Sequence, residues 1–201
     1  KSGQIDAVIT GFPAATNVCK HNQDLDLISE PVDYENTSIA VRKGSGKLLA
    51  DLNKIIAELH SNGTLKDMSR RWLKRDLSPY EEVEIKLPTK GEIIKIGTSA
   101  TREPFCFVDA KRNVTGHDGE LARRIGVMLG RPIEFVDMKF SALIPALKSK
   151  KVDMIVAGMT ATEERKKSVD FSDTYFKNSQ VMIVKKVAGE KQVEENKILK
   201  L

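Results

Sequence analysis

The sequence predicts an α/β fold with a mainly parallel sheet flanked by helices, and three observations predict it. From Ile93 onward, short apolar runs alternate with stretches of helical periodicity, the pattern of right-handed βαβ units. Leu48, Leu49, Leu52, Ile55, Ile56 and Leu59 recur on one face of a helix. The run Val152-Asp153-Met154-Ile155-Val156 passes directly into helix-start chemistry at Thr162, a strand-to-helix turn at the sheet end where ligands collect in such folds.

Taken in order, Gly3-Gln4-Ile5-Asp6-Ala7-Val8-Ile9-Thr10 reads as a buried strand, and Phe12-Pro13-Ala14-Ala15 as a turn into a helix. Strands are expected at 25–28 and 37–41. The amphipathic helix that follows has Ser45 as candidate cap and Gly63 past its end. Thr64-Leu65-Lys66-Asp67 has the form of a capping box, opening a short helix that turns Leu65, Met68 and Trp72 to the core. Between Lys74 and Gly91 the pattern dissolves into Ser78-Pro79, a glutamate run and Leu87-Pro88, the composition of a linker. Regular structure resumes with a strand at 93–97. Asp118 is a candidate cap for a helix that buries Leu121, Ile125 and Leu129 and stops at Gly130. A strand at 133–136, a helix near 142–148 with Pro145 in its opening turn, the strand at 152–156 and a last strand at 181–184 complete the chain.

Composition narrows the function. A chain of 201 residues with 40% hydrophobic and 30% charged side chains is an ordinary globular protein, long enough for one large domain or two small lobes. Its net charge of +5 is spread thinly and not interleaved with aromatics, so nucleic acid is not an expected partner. No apolar run approaches the roughly 18 residues that span a bilayer, and Lys1-Ser2-Gly3-Gln4 lacks the hydrophobic stretch of a signal peptide. Cys19 and Cys106 show no metal-ligand spacing and read as small buried hydrophobes, with a disulfide between them left open. His21, His60 and His117 stand alone and read as surface or cap residues. With no catalytic triad, P-loop or dinucleotide fingerprint, neither catalysis nor a cofactor or metal is expected.

The turn after Val156 carries the most chemistry. The first N–H groups of a helix have no partner within it, and Thr162 as N-cap with Arg165 three residues on would set a planar guanidinium beside those amides. Gly158 permits close backbone approach, and Thr160 adds an N–H and a hydroxyl. Such a turn is a receptor for a carboxylate. The plainer alternative, a capping threonine and a solvated arginine beside Lys166 and Lys167, stays open on local sequence alone.

Together these residues resemble a known family. Residues 93–186 are similar to the first lobe of type II periplasmic (extracellular) solute-binding proteins, family 3, the polar amino-acid-binding family. The resemblance runs through Ile96-Gly97-Thr98, Pro104-Phe105-Cys106-Phe107, Gly116-His117-Asp118-Gly119-Glu120-Leu121 and Phe140-Ser141-Ala142-Leu143-Ile144-Pro145-Ala146-Leu147. It continues through Asp153-Met154-Ile155-Val156-Ala157-Gly158-Met159-Thr160, Glu164-Arg165 and Val169-Asp170-Phe171-Ser172. Residues 1–73 resemble the closing part of the same module. The resemblance implies Venus-flytrap lobes with the second incomplete: 1–37 the closing part of the second lobe, 38–76 the returning hinge strand and C-terminal helix pair, 77–92 a linker, 93–186 the first lobe with the ligand-anchoring motifs, and 187–201 the hinge and start of the second lobe. The ending thus precedes the beginning. Either the chain is a stretch of tandem modules, or it is permuted, and Ile198-Leu199-Lys200-Leu201 joined to Lys1-Ser2-Gly3-Gln4-Ile5-Asp6 reads as one continuous segment.

Position by position, the resemblance implies that Arg165 and Thr160 clamp an amino acid's α-carboxylate, the Gly158 carbonyl accepts from its ammonium, and Phe105 and Phe140 wall its side chain. Two departures stand out: Gly11 where many relatives place an aspartate for the ammonium, and Arg102 where an aromatic precedes Pro-Phe. Ser99, Glu103 and Asp118 are the candidates to compensate. The expected function is an extracytoplasmic binding module, periplasmic or extracellular and tethered to a membrane, that closes on a small carboxylate solute and delivers it to the permease of an ABC transporter. The alternatives are the sensing ectodomain of a receptor histidine kinase and, further off, a prephenate or arogenate dehydratase. Exchange of elements in a homodimer is a further expectation.

Overall fold

A computed structural model describes residues 5–73 and 80–186. The start of the first predicted strand, Ser78-Pro79 of the linker, and residues 187–201 with the 198–201 junction lie outside them.

The elements run β1 (Ala7–Gly11), α1 (Phe12–His21), β2 (Leu25–Arg42), α2 (Gly46–Ser61), α3 (Thr64–Trp72), β3 (Ile94–Thr98), β4 (Thr101–Arg102), β5 (Cys106–Val108), β6 (Val114–Thr115), α4 (His117–Met128), β7 (Ile133–Asp137), a 3₁₀ turn (Phe140–Ala142), α5 (Leu143–Lys148), β8 (Met154–Ile155), α6 (Glu163–Lys166) and β9 (Val169–Lys185). Six strands form one sheet in the order β1-β9-β2-β8-β3-β7. The α/β class is as expected, but the sheet is mixed. β8, β3 and β7 are parallel, whereas β2 and β9 return antiparallel and β1 follows them.

The expected strands at 25–28 and 37–41 are one strand, and the strand at 181–184 is only the end of another. β2 and β9 pair along their length from Leu25↔Lys185 to Arg42↔Val169, with register shifts between Ile28 and Asp33 and again near Ser38. Pro31, which has no N–H to give the ladder, falls within the first shift. The ribbon leads from a lobe at one end to a smaller unit at the other.

In the lobe, α2, α3 and α4 cover one face of the sheet, where Leu52, Ile56, Met68 and Trp72 pack with Ile96, Leu121, Ile125 and Met154. On the other face α5 sets Leu143 and Leu147 against Ala40, Ile155 and Val169. β2 serves both faces by alternation: Ile39 and Val41 point one way, Ala40 the other. The helix pair α2–α3, although it precedes β3 in the chain, completes this core within one chain. The smaller unit sets α1 on the β1-β9-β2 end, burying Ala15, Val181 and Ile183.

Several caps differ from expectation. Gly63, left-handed at φ 77°, is the N-cap of α3, and the Asn62 side chain accepts from the Thr64 N–H at 3.0 Å, so Thr64 caps nothing. Ser45 precedes α2 without a side-chain cap bond. The N-cap of α4 is Gly116, whose added Cβ would stand 2.5 Å from the Phe105 carbonyl oxygen. Residues 80–93 carry no helix or strand and are anchored to the lobe: the Tyr80 ring lies 5.1 Å from Trp72 and 5.5 Å from Phe107.

Candidate functional site

The loop after β8 sits at the carboxyl end of the parallel strands, where it is bridged to the ribbon by Ser38 N–H to Met159 O (3.0 Å) and Ala161 N–H to Asn36 O (3.3 Å). Gly158 turns it with φ +58°. Thr162 caps α6, its Oγ1 accepting from the Arg165 N–H at 3.3 Å. That helix is a single turn of four residues, too short for the macrodipole that a longer helix would bring to an anion. The positive charge here is Arg165 itself.

Arg165 donates to the Thr160 carbonyl at 3.0 Å, and its guanidinium carbon stands 5.3 Å from the centre of the Phe140 ring. It makes no ion pair with any acid among the described residues. A cavity of about 380 Å³ borders it on the side of Ile144, Thr162, Glu164 and Ser168. Phe105, Gly158 and Arg102 do not line that cavity; they meet one another beside Phe140.

Arg102 is gathered there with both rings, 5.9 Å from the Phe105 centroid and 6.0 Å from that of Phe140, with Nη1 at 3.4 Å from the carbonyl oxygens of Ala157 and Gly158. Phe105 is buried against Phe176 and His117. Of the sequence-derived candidates, the structure therefore brings together Arg165, Thr160, Gly158, Phe140, Phe105 and Arg102. Ser99 is buried just beyond β3. Gly11 belongs to the smaller unit, at the junction of β1 and α1, where a Cβ would collide with the Asn178 amide at 2.2 Å; glycine there makes room for Asn178.

Three residues acquire roles that local sequence does not show. Asp118 is not the helix cap expected but a carboxylate 1% exposed. Its Oδ1 accepts from the Tyr175 hydroxyl at 3.0 Å; its Oδ2 has no hydrogen-bond partner and lies 3.7 Å from where a Gly158 Cβ would stand. Burial and then the Asp118 charge push the Tyr175 phenol well above its ordinary range, so it stays a donor. His117, expected as a surface or cap residue, is neither: Gly116 is the N-cap, and His117 is fully buried and stacked on Tyr175. Glu35, in the polar middle of β2, accepts from the Thr160 hydroxyl at 3.2 Å and from the Gln180 amide at 3.0 Å. Nothing local could have shown the burial of Asp118 under Tyr175, 57 positions on, or paired Glu35 with a residue 125 positions away.

Cys19 and Cys106 are free, and burial pushes the Cys106 thiol up to about 12, which makes it an inert hydrophobe. Among the described residues no group of three or more His, Cys, Asp or Glu side chains could hold a metal ion.

The model of the family described as bacterial extracellular solute-binding proteins, family 3, matches residues 94–197. The arginine-binding extracellular protein ArtP of Bacillus subtilis is 44% identical over 102 residues, 51% of this chain and 40% of its own length. ABC transporter arginine-binding protein 1 of Escherichia coli is 39% identical over 96 residues, 48% of this chain and 40% of its own. A probable histidine-binding protein of Neisseria gonorrhoeae is 36% identical over 96 residues, 48% of this chain and 36% of its own. The chain thus spans about two fifths of the length of these curated relatives. Among solved structures, the arginine-bound domain 1 of TmArgBP aligns at 44% identity over 47% of this chain and 80% of that one, with a TM-score of 0.42.

Proposed function

This chain belongs to the bacterial extracellular solute-binding proteins, family 3, and we propose that it captures a small carboxylate-bearing solute of the amino-acid class at the loop after β8, outside the cytoplasm, for an ABC transporter. The observation that carries this reading is Arg165, a guanidinium held by a backbone carbonyl and an aromatic ring, with no ion-pair partner among the described residues. A fork so placed offers two parallel N–H donors to a carboxylate. The names of the relatives, two arginine-binding and one histidine-binding, support an amino acid, and the ABC transporter in one of them supports delivery.

The reading takes residues 38–76 and 93–186 as one lobe, which the shared core of α2, α3 and the sheet supports, and residues 1–37 as the closing part of the other. Glu35 of the ribbon accepts from Thr160 of this loop and from Gln180 of β9, so a ligand at the loop would act on the connection between the two units, which is how occupancy would be converted to closure. The dehydratase alternative needs an acid poised over a leaving hydroxyl; Glu103 is exposed and already accepts from the Tyr80 hydroxyl at 2.6 Å. No observation favours the sensor-kinase alternative.

Titration calorimetry of the chain against a panel of amino and dicarboxylic acids tests the proposal. Arg165→Ala is expected to weaken any ligand found by about a hundredfold or more. Unchanged affinity in that variant refutes the clamp.

A further inference from the structure

A second cavity, of about 330 Å³, opens where α3 meets the β2–β9 ribbon, and no residue of the loop after β8 lines it. Its inner walls are apolar: Leu65 comes from the helix, and Tyr175 and Phe176 come from β9. The lobe core fixes them in place. The Tyr175 hydroxyl donates to Asp118 at 3.0 Å, and the Phe176 ring packs 5.5 Å from Phe105 and 5.6 Å from His117. A guest there meets a surface that is already formed.

The outer lining is cationic. Lys66 reaches the cavity from α3 and Lys177 from β9, one ammonium group from each side of the junction. Both side chains are exposed, and neither has an ion-pair partner among the described residues. Lys177 rests on the Tyr34 ring, with its Nζ 4.4 Å from the centroid, a contact that orients the ammonium without neutralising it. Ser69 and Thr174 bring hydroxyls, and His60 and Asn36 an imidazole and an amide.

Among the described residues no acid lines this cavity. Asp67, next to Lys66 in the chain, is held by Arg70 and Arg71, and Glu35 accepts from the Thr160 hydroxyl and the Gln180 amide. Asp173, next to Thr174, is outside the walls. Exposed lysines alone are ordinary surface. Here they stand over a concave apolar floor, and a cleft with one sign of charge at its mouth concentrates ligands of the other sign.

We infer that this cavity binds a small organic anion, with its charged head between Lys66 and Lys177 and an apolar or aromatic body against Leu65 and Phe176. Such a guest touches both α3 of the lobe and the ribbon, so it would tie the two together. The inference stands apart from the solute reading above, because the two sites share no residue.

The test is an amide-shift titration of the 201-residue chain with benzoate, its neutral isostere benzamide, and inorganic phosphate, read at Ser69 and Phe176 and, for contrast, at Gly158 and Thr160. Benzoate is expected to shift Ser69 and Phe176 saturably, and to bind about tenfold or more tightly than benzamide, which lacks the charge, or phosphate, which lacks the body. Lys66→Gln combined with Lys177→Gln is expected to weaken benzoate about tenfold, whereas the same pair changed to arginine retains it. Both lysines are exposed, so the fold should not depend on either. Benzamide or phosphate binding as tightly as benzoate, undiminished affinity in the glutamine pair, or no response at Ser69 and Phe176 overturns the inference. Benzoate shifts confined to Gly158 and Thr160 overturn it while supporting the carboxylate site at Arg165.

Discussion

The two ends of the β2–β9 ribbon meet cores of very different depth. At the lobe end the sheet is covered on both faces, and Leu52, Met68, Ile96, Leu121, Leu143 and Leu147 have no exposed surface. At the other end, among the described residues, the sheet is covered on one face only, by α1. On its open face Ile9 and Ile28 flank Met182 in register, and they are 59% and 44% exposed. The same two strands thus build a three-layer core at one end and a two-layer core at the other. Stability should be concentrated where the apolar area is buried, and the loop after β8 is mounted on that end.

The largest expected effect tests the lobe through its buried charge. Arg71 and Glu120, 4% and 3% exposed, pair at 2.6 Å, and Glu120 also accepts from Trp72 at 2.6 Å and Arg124 at 2.9 Å, pinning α3 to α4. Burial raises the Glu120 carboxyl, but the donors from Arg71, Trp72 and Arg124 outweigh it and hold the group below its ordinary 4.5. A lowered folded-state value means that the stabilisation is complete above pH 4.5 and is lost as the pH falls through the folded-state value. Glu120→Gln is expected to cost about 3 kcal/mol in urea unfolding at pH 7. The variant should also lose less stability than the native chain on acidification below that pH. Parallel losses would show that the pair is not the source.

Next in size is a direct comparison of the two cores. Leu52→Ala should cost about 2–5 kcal/mol, whereas Val181→Ala in the smaller unit should cost about 1–2 kcal/mol, because its neighbours are few and partly wet. Equal losses would mean that the smaller unit is as tightly coupled as the lobe.

How much of this was legible follows the same division. The α2 stripe, β3, the α4 core residues and the loop after β8 could be read because their periodicity or spacing is local and one-sided. The length of β2 and β9 could not, because the polar, largely exposed stretch at 30–36 leaves no apolar alternation to read, and Pro31 reads as a break. β4 to β6, two or three residues each, are shorter than any period. In the site, the Arg165 loop and the oddity of Arg102 were legible from motif and spacing. The burial of Asp118 and His117 was not: it is made by Tyr175, which β9 brings from 57 positions away, while the local residues around Asp118 are those of an ordinary cap.

The smallest expected effect is the most discriminating for the open face. Ile9 is an edge-strand residue with more than half its surface in water, so Ile9→Ser removes little that folding buries, and the stability change should stay within about 0.5 kcal/mol. Polar substitution at a face that something covers behaves differently, because it then strips apolar area from an interface. A loss of about 2 kcal/mol on urea unfolding, rising with protein concentration, would therefore mean that this face is not open in solution and that the contrast between the two ends of the ribbon is a property of the single chain alone.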